Sequence, residues 1–193
     1  MSTFGLYFQI GRDHILDLSM GLDHILFVFA LAATYLISDW KKVLVLVTAF
    51  TIGHSITLAL ATLSVIKVRT DVVEFFIVVT ILIAAVSNLF QREGGSGKIQ
   101  INYFYALFFG LIHGLGFSNT LRAMLSKNQE IITPLLAFNL GLEFGQIIIV
   151  AAFLLAGFIA VNILSVNRRD WRVVISSAIA GMALLMIRER IFW

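Results

Sequence analysis

Six apolar runs, each closed off by charged or polar residues, organise the chain: Ser19–Ser38, Val43–Ile66, Val72–Phe90, Ile101–Leu121, Ile132–Leu164 and Trp171–Ile187. A helix needs about 20 mostly apolar residues to cross the hydrocarbon core of a bilayer. The runs are near that length or longer, so the pattern predicts an all-α integral membrane protein, a single bundle of about six transmembrane helices forming one domain over residues 1–193. The connections are short and polar: Asp39 to Lys42, Lys67 to Asp71, Gln91 to Lys98 with its Gly/Ser centre, Ser126 to Glu130, and Asn167 to Trp171. The fifth run is over-long for one crossing, so it is expected to tilt, kink or extend past the bilayer.

Composition narrows the class. Of 193 residues 60% are hydrophobic and only 13% charged, too few to cover the surface of a water-soluble domain of this size. There is no cysteine, which excludes structural disulfides and thiolate or iron–sulfur metal sites. A net charge of +3 spread over short loops is ordinary for a membrane protein and gives no reason to expect nucleic acid among its partners. The first residues lack the charged, apolar and small-residue segments of a signal peptide in their usual order, so the mature chain is expected to begin at Met1. The basic residues do not orient the bundle. Arg12, Lys67, Arg69, Arg122, Lys127, Arg188 and Arg190 would fall on one side, with Lys41, Lys42, Arg92, Lys98, Arg168, Arg169 and Arg172 on the other.

Against this apolar background a few polar positions stand out: Asp23, His24, His54, His113 and Glu143 lie well inside the runs, and His14 sits just before the first. An ionisable group at the centre of a bilayer costs about 2.5–3.5 kcal/mol even on lenient insertion scales, so such residues need partners or a ligand. Counting along ideal helices from the face that holds the N-terminus places His24 roughly 7 Å deep, His113 roughly 12 Å, Glu143 roughly 17 Å and His54 roughly 18 Å. One shared cluster is therefore possible. Asn139, Glu143 and Gln146 follow an i, i+4, i+7 spacing, and Thr48, Thr51 and Ser55 form a polar stripe beside His54. Asp17 and His24 are a heptad apart and would face together on a continuous helix. Glycines 21, 53, 110, 114, 141 and 145 flank the polar residues and allow close helix approach. Imidazole with carboxylate is the ligand set expected for Ni²⁺, Co²⁺ or Zn²⁺, and a neighbouring carboxylate or amide can fix an imidazole's tautomer. The ligands expected on this ground are His24, His54, His113, Glu143 and Asp23. Asn139, Gln146, Thr51, Ser55, His14 and Asp17 are expected around them or along the pathway.

The segments GLDHILF (Gly21–Phe27), TAFTIGHSITLALA (Thr48–Ala61), FFGLIHGLGFS (Phe108–Ser118) and FNLGLEFGQ (Phe138–Gln146) resemble the HupE/UreJ family of membrane proteins, and the resemblance runs through the whole chain. It implies a nickel or cobalt permease linked to hydrogenase and urease maturation. It also implies a place in a bacterial inner (plasma) membrane, an extracytoplasmic N-terminus, and His24, Asp23, His54, His113 and Glu143 as the residues along the metal's path. The family pattern often reads H-x5-D-H, whereas here eight residues separate His14 from Asp23. His14 is therefore expected on the pathway rather than in the ligand set.

The leading expectation is transport, not catalysis, with the divalent ion as cargo and the lipid bilayer as the other partner. The rival from another class is an intramembrane zinc-dependent hydrolase built on the same His/carboxylate cluster, with Glu143 or Asp23 as general base. Haem ligation is a weaker rival, because no two histidines fall at matched depth on facing helices.

Overall fold

A computed structural model describes residues 2–18, 21–91, 99–125 and 131–192. Among the described residues the chain is helical throughout, with eight α-helices: α1 (Thr3–Leu16), α2 (Leu22–Ala32), α3 (Trp40–Thr62), α4 (Thr70–Leu89), α5 (Ile99–Gly116), α6 (Ser118–Met124), α7 (Ile132–Phe158) and α8 (Arg168–Glu189). The expected turns at Gln91–Lys98 and Ser126–Glu130 lie, Gln91 apart, outside the described residues. So do Arg92, Lys98 and Lys127, and Ser19, the expected start of the first crossing.

Four of the predicted crossings are present as long apolar helices: 37–62, 70–89, 132–163 and 168–189. A fifth is a bent pair, with α5 and α6 meeting at 47°. The count of about six continuous crossings is thus not what the described residues contain. The difference lies at the N-terminus. The run expected as the first crossing, Ser19–Ser38, yields only the 11-residue α2, which at 1.5 Å per residue spans about 16 Å and falls short of a bilayer. In front of it stands α1, which the apolar-run reading passed over. Its buried residues Tyr7, Gly11, His14 and Ile15 follow the i, i+4, i+7, i+8 spacing of one helical face, and Ser2 caps it by accepting from the Gly5 amide at 3.2 Å. Arg12 and Asp13 interrupt the apolar tally, and their pairing at 2.7 Å on the exposed side lets the helix tolerate them.

Two helix pairs set the interior. In α3 and α5, a methyl on Gly53 would collide with the Leu107 carbonyl, one on Gly110 with that of Phe50, and one on Gly114 with that of His54. Residue numbers rise together on both helices, so they run parallel with their backbones in contact. The same arrangement recurs between α1 and α7: Gly11 abuts the Phe138 carbonyl, Gly141 that of Phe8, and Gly145 lies beside Arg12 and Ile15. Small residues permit this approach, and the backbone contacts it creates hold helices together in lipid.

The over-long run forms one apolar helix over 132–163. α7 passes at Ile159 into a π-helical turn, and the helix has ended by Ser165, whose φ is +56°. Large apolar side chains on the outer faces of α3, α4 and α7, such as Val45, Ile52, Phe76 and Leu155, are about half exposed and form the belt that meets lipid tails.

Replacing Gly110 with Leu is expected to destabilise the protein by about 1–3 kcal/mol through overpacking. Thermal unfolding in detergent should show it as a lowered Tm, whereas replacing the exposed Phe108 with Leu should leave the Tm unchanged. Equal Tm values for the two variants would contradict the backbone contact.

Candidate metal pathway

The break between α1 and α2 places an unusual set of groups at one point. α1 ends at Leu16. The Asp17 amide still donates to the Asp13 carbonyl at 2.9 Å, and the Gly21 amide donates to the Asp17 carbonyl at 2.7 Å, which ties the start of α2 to the end of α1. Gly21 packs so closely that a Cβ there would lie 2.5 Å from the His14 carbonyl oxygen. α2 then begins with Asp23 in its first turn, where the partial positive charge of a helix N-terminus favours a carboxylate. Asp23 Oδ1 accepts from the His24 backbone N–H at 2.8 Å and lies 2.9 Å from His24 Nδ1. A carboxylate oxygen can only accept here, so Nδ1 is the donating nitrogen, and Nε2 has no hydrogen-bond partner among the described residues.

Three other imidazoles surround His24. Ring centres lie 5.0 Å away for His14, 5.2 Å for His113 and 5.8 Å for His54. All four histidines of the chain thus meet, brought from α1, α2, α3 and α5, and all are buried. Thr80 Oγ1 of α4 lies 3.1 Å from His113 Nε2. Among the described residues, both ring nitrogens of His14 and of His54, His24 Nε2 and His113 Nδ1 have no hydrogen-bond partner. An orphaned buried polar group costs about 1–3 kcal/mol, so a cluster of them at one point calls for a ligand. Among the described residues no three His, Asp or Glu side chains are set as ligands around a single point; the rings stand close without sharing a centre.

A cleft of about 300 Å³ reaches this cluster from one end of the bundle. His14, Asp23, His24 and His113 form its inner wall, and Glu74 and Arg190 line it as well. Arg190 Nη1 lies 3.5 Å from Asp23 Oδ2 and 3.4 Å from the Glu74 carbonyl oxygen. His54 lies behind the inner wall, between Phe50 and Phe138.

The remaining expected residues are distributed differently. Glu143 does not join the imidazoles. It is half-buried on α7 and accepts from Thr48 Oγ1 at 2.8 Å. Gln146 is the fully buried member of that stripe, with its Oε1 2.7 Å from Thr51 Oγ1. Positions 143 and 146 are three residues apart, about 60° round the helix, so when Gln146 points inward Glu143 turns to the flank. Asn139 Nδ2 donates to the Leu135 carbonyl, and Ser55 Oγ to that of Thr51. The expectation that Asp17 and His24 share a helical face fails, because the helix is broken between them. His14, expected only along the pathway, is instead in ring contact with the cluster. Its signal in the sequence was the i, i+7 spacing from Tyr7 on a helix that the apolar tally missed.

Substituting Gly21 with Ala is expected to push α1 and α2 apart and to shift the imidazole resonances of both His14 and His24 in histidine-labelled protein. Unchanged resonances would contradict the role given to the tight break.

No curated protein and no solved structure matches this chain. A family model described as HupE / UreJ protein does match, over residues 1–190. With the motifs and the membrane-spanning helices in place, that match covers nearly the whole sequence, and the chain belongs to the HupE/UreJ family.

Proposed function

We propose that this protein is a permease for a divalent transition-metal ion, Ni²⁺ or Co²⁺, and that the ion passes through the imidazole cluster around His24. The observation that carries this reading is the meeting of four buried histidines and Asp23 at the inner end of an open cleft. Two imidazoles bound to one metal at about 2.1 Å have ring centres roughly 5 Å apart, close to the spacings His24 makes with His14 and His113. Small shifts of these rings would let an ion be held by two or three of them in turn. Conduction needs such exchangeable binding, favourable enough to admit the ion and weak enough to release it. In this reading Asp23 supplies the negative charge that draws the cation in, Thr80 orients the His113 imidazole, and Arg190 yields Asp23 Oδ2 as the ion arrives.

We also read α1 and α2 as one broken crossing laid along α7. Phe8 of α1 stacks near Phe144 (5.9 Å between ring centres) and Phe29 of α2 near Phe153 (4.7 Å), so the two helices follow α7 in the same direction. Broken helices are tolerated in a membrane where they line a cavity, and their exposed ends are where transporters hold ions. We place the N-terminus on the extracytoplasmic face of a bacterial inner membrane, in line with the family resemblance. Glu143, with Thr48 and Gln146, belongs to a polar seam between α3 and α7, not to the ligand set. Family membership gives no support to a zinc-dependent hydrolase, and transport accounts for the cluster without a substrate for hydrolysis.

The test is ion flux into proteoliposomes containing the purified protein. Wild type should accumulate Ni²⁺ or Co²⁺ above protein-free vesicles. His24→Ala should abolish that accumulation, because it removes the ring the other three surround. Glu143→Gln should retain most of it. Flux that survives His24→Ala would overturn the proposal.

A further inference from the structure

A second cleft, of about 330 Å³, opens at the opposite end of the bundle. Three helices show that the two clefts face opposite ways. On α2 the first cleft takes Asp23 and His24, and the second takes Ala30 and Leu31. On α4 the first takes Glu74 and Ile77, and the second takes Ile83, Ala84, Ser87 and Asn88. On α5 the first takes His113 and Gly116, and the second takes Asn102, Tyr105 and Phe109. The gap is six residues on α2 (His24 to Ala30) and on α4 (Ile77 to Ile83), and four on α5 (Phe109 to His113). At 1.5 Å per residue only about 6–9 Å of protein separates two clefts that enter from opposite ends.

That partition is aromatic. Phe27 and Phe50 are fully buried, and Phe109 closes the floor of the second cleft. Phe27 lies 4.9 Å from Phe50 and 5.5 Å from Phe109 between ring centres. The same two inner rings touch the metal cluster, at 5.0 Å from His113 for Phe27 and 5.1 Å for Phe50. Among the described residues that line the second cleft, none is acidic or basic. Its polar groups are neutral, among them the Tyr35 hydroxyl, which accepts from Asn102 Nδ2 at 3.2 Å, and the Gln91 amide, whose Oε1 is buried without a partner among the described residues.

We propose that the two clefts are the two aqueous vestibules of one path, closed in this conformation by the Phe27–Phe50–Phe109 septum, and that the second receives the divalent cation released from the histidines. This rests on the permease reading of the cluster. Among the described residues the chemistry of the two ends is asymmetric in a way that suits one-way delivery. Imidazole and carboxylate capture a partly dehydrated ion on the first side. Neutral hydroxyl and amide oxygens beyond the septum hydrate it without holding it. A septum of apolar rings between wet compartments gates by excluding water, so ion passage requires the rings to part.

The chain has no cysteine, so single introduced thiols report without background. Ile77 and Ala84 lie seven residues apart on the same face of α4, about 10 Å along its axis, and each lines a different cleft. Ile77→Cys and Ala84→Cys are expected to react with a membrane-impermeant thiol reagent from opposite faces of oriented vesicles. In the same vesicles Phe27→Ala is expected to raise Co²⁺ flux several-fold over wild type by thinning the septum. Both thiols labelled from one face, or Ala84→Cys unreactive from either, would overturn the proposal, whether or not Phe27→Ala folds. Co²⁺ flux without sided labelling would leave the permease standing and remove this route. Sided labelling without flux in wild type would keep the two vestibules and the septum and remove the metal as their cargo.

Discussion

A helix that stops inside a membrane protein leaves backbone groups that water cannot satisfy, and the arrangement of this molecule follows from where that happens. α1 ends at Leu16 and α2 begins at Leu22, and the Gly21 amide donates to the Asp17 carbonyl across the break. The break is possible because Gly21 lets its own backbone touch the end of α1. It is useful because it starts a new helix within the bundle. The first turn of α2 presents Asp23 and His24 with the favourable end of a helix dipole behind the carboxylate. A continuous helix over the same residues would have carried His14 and His24 past one another; the break turns them face to face.

The rest of the interior supports that point. The paired glycines of α3 and α5 bring those helices into backbone contact, so the rings of His54 and His113 both reach a histidine on a third element. The glycines of α1 and α7 do the same for His14 and the polar stripe of α7. Phenylalanines fill the space around the rings: Phe27 and Phe50 on one side, Phe117 and Phe138 on the other. The imidazoles are thereby kept dry except through the cleft, and in such surroundings polar contacts to an entering ion are worth far more than they would be in water.

Much of this was legible in the sequence. Four crossings announced themselves as apolar runs. Buried ionisable residues are costly enough in lipid that Asp23, His24, His54 and His113 could be picked out as partners before any coordinates. Three things were not legible, each for a physical reason. α1 carries Arg12 and Asp13 in its middle, which defeats a count of apolar residues although its buried face keeps a clean helical period. The apolar run after it is long enough to cross, and nothing in its composition reveals that its helix starts only at Leu22 and ends at Ala32. Glu143 and Gln146 share a stripe, and which of the two points inward depends on how α7 is rotated by its packing on α1. Glycine spacing sets that rotation, not polarity. The second cleft is lined by unremarkable residues such as Ala30, Leu31 and Ala84, whose role depends wholly on which helix ends meet there.

The central claim is that imidazoles gathered around His24 take hold of the metal ion, and X-ray absorption at the cobalt edge on Co²⁺-loaded protein addresses it most directly. The account predicts the outer-shell scattering of at least two imidazoles in wild type and its collapse to an oxygen-only shell in His24→Ala. An oxygen-only shell in wild type, or an imidazole signal untouched by His24→Ala, would contradict it.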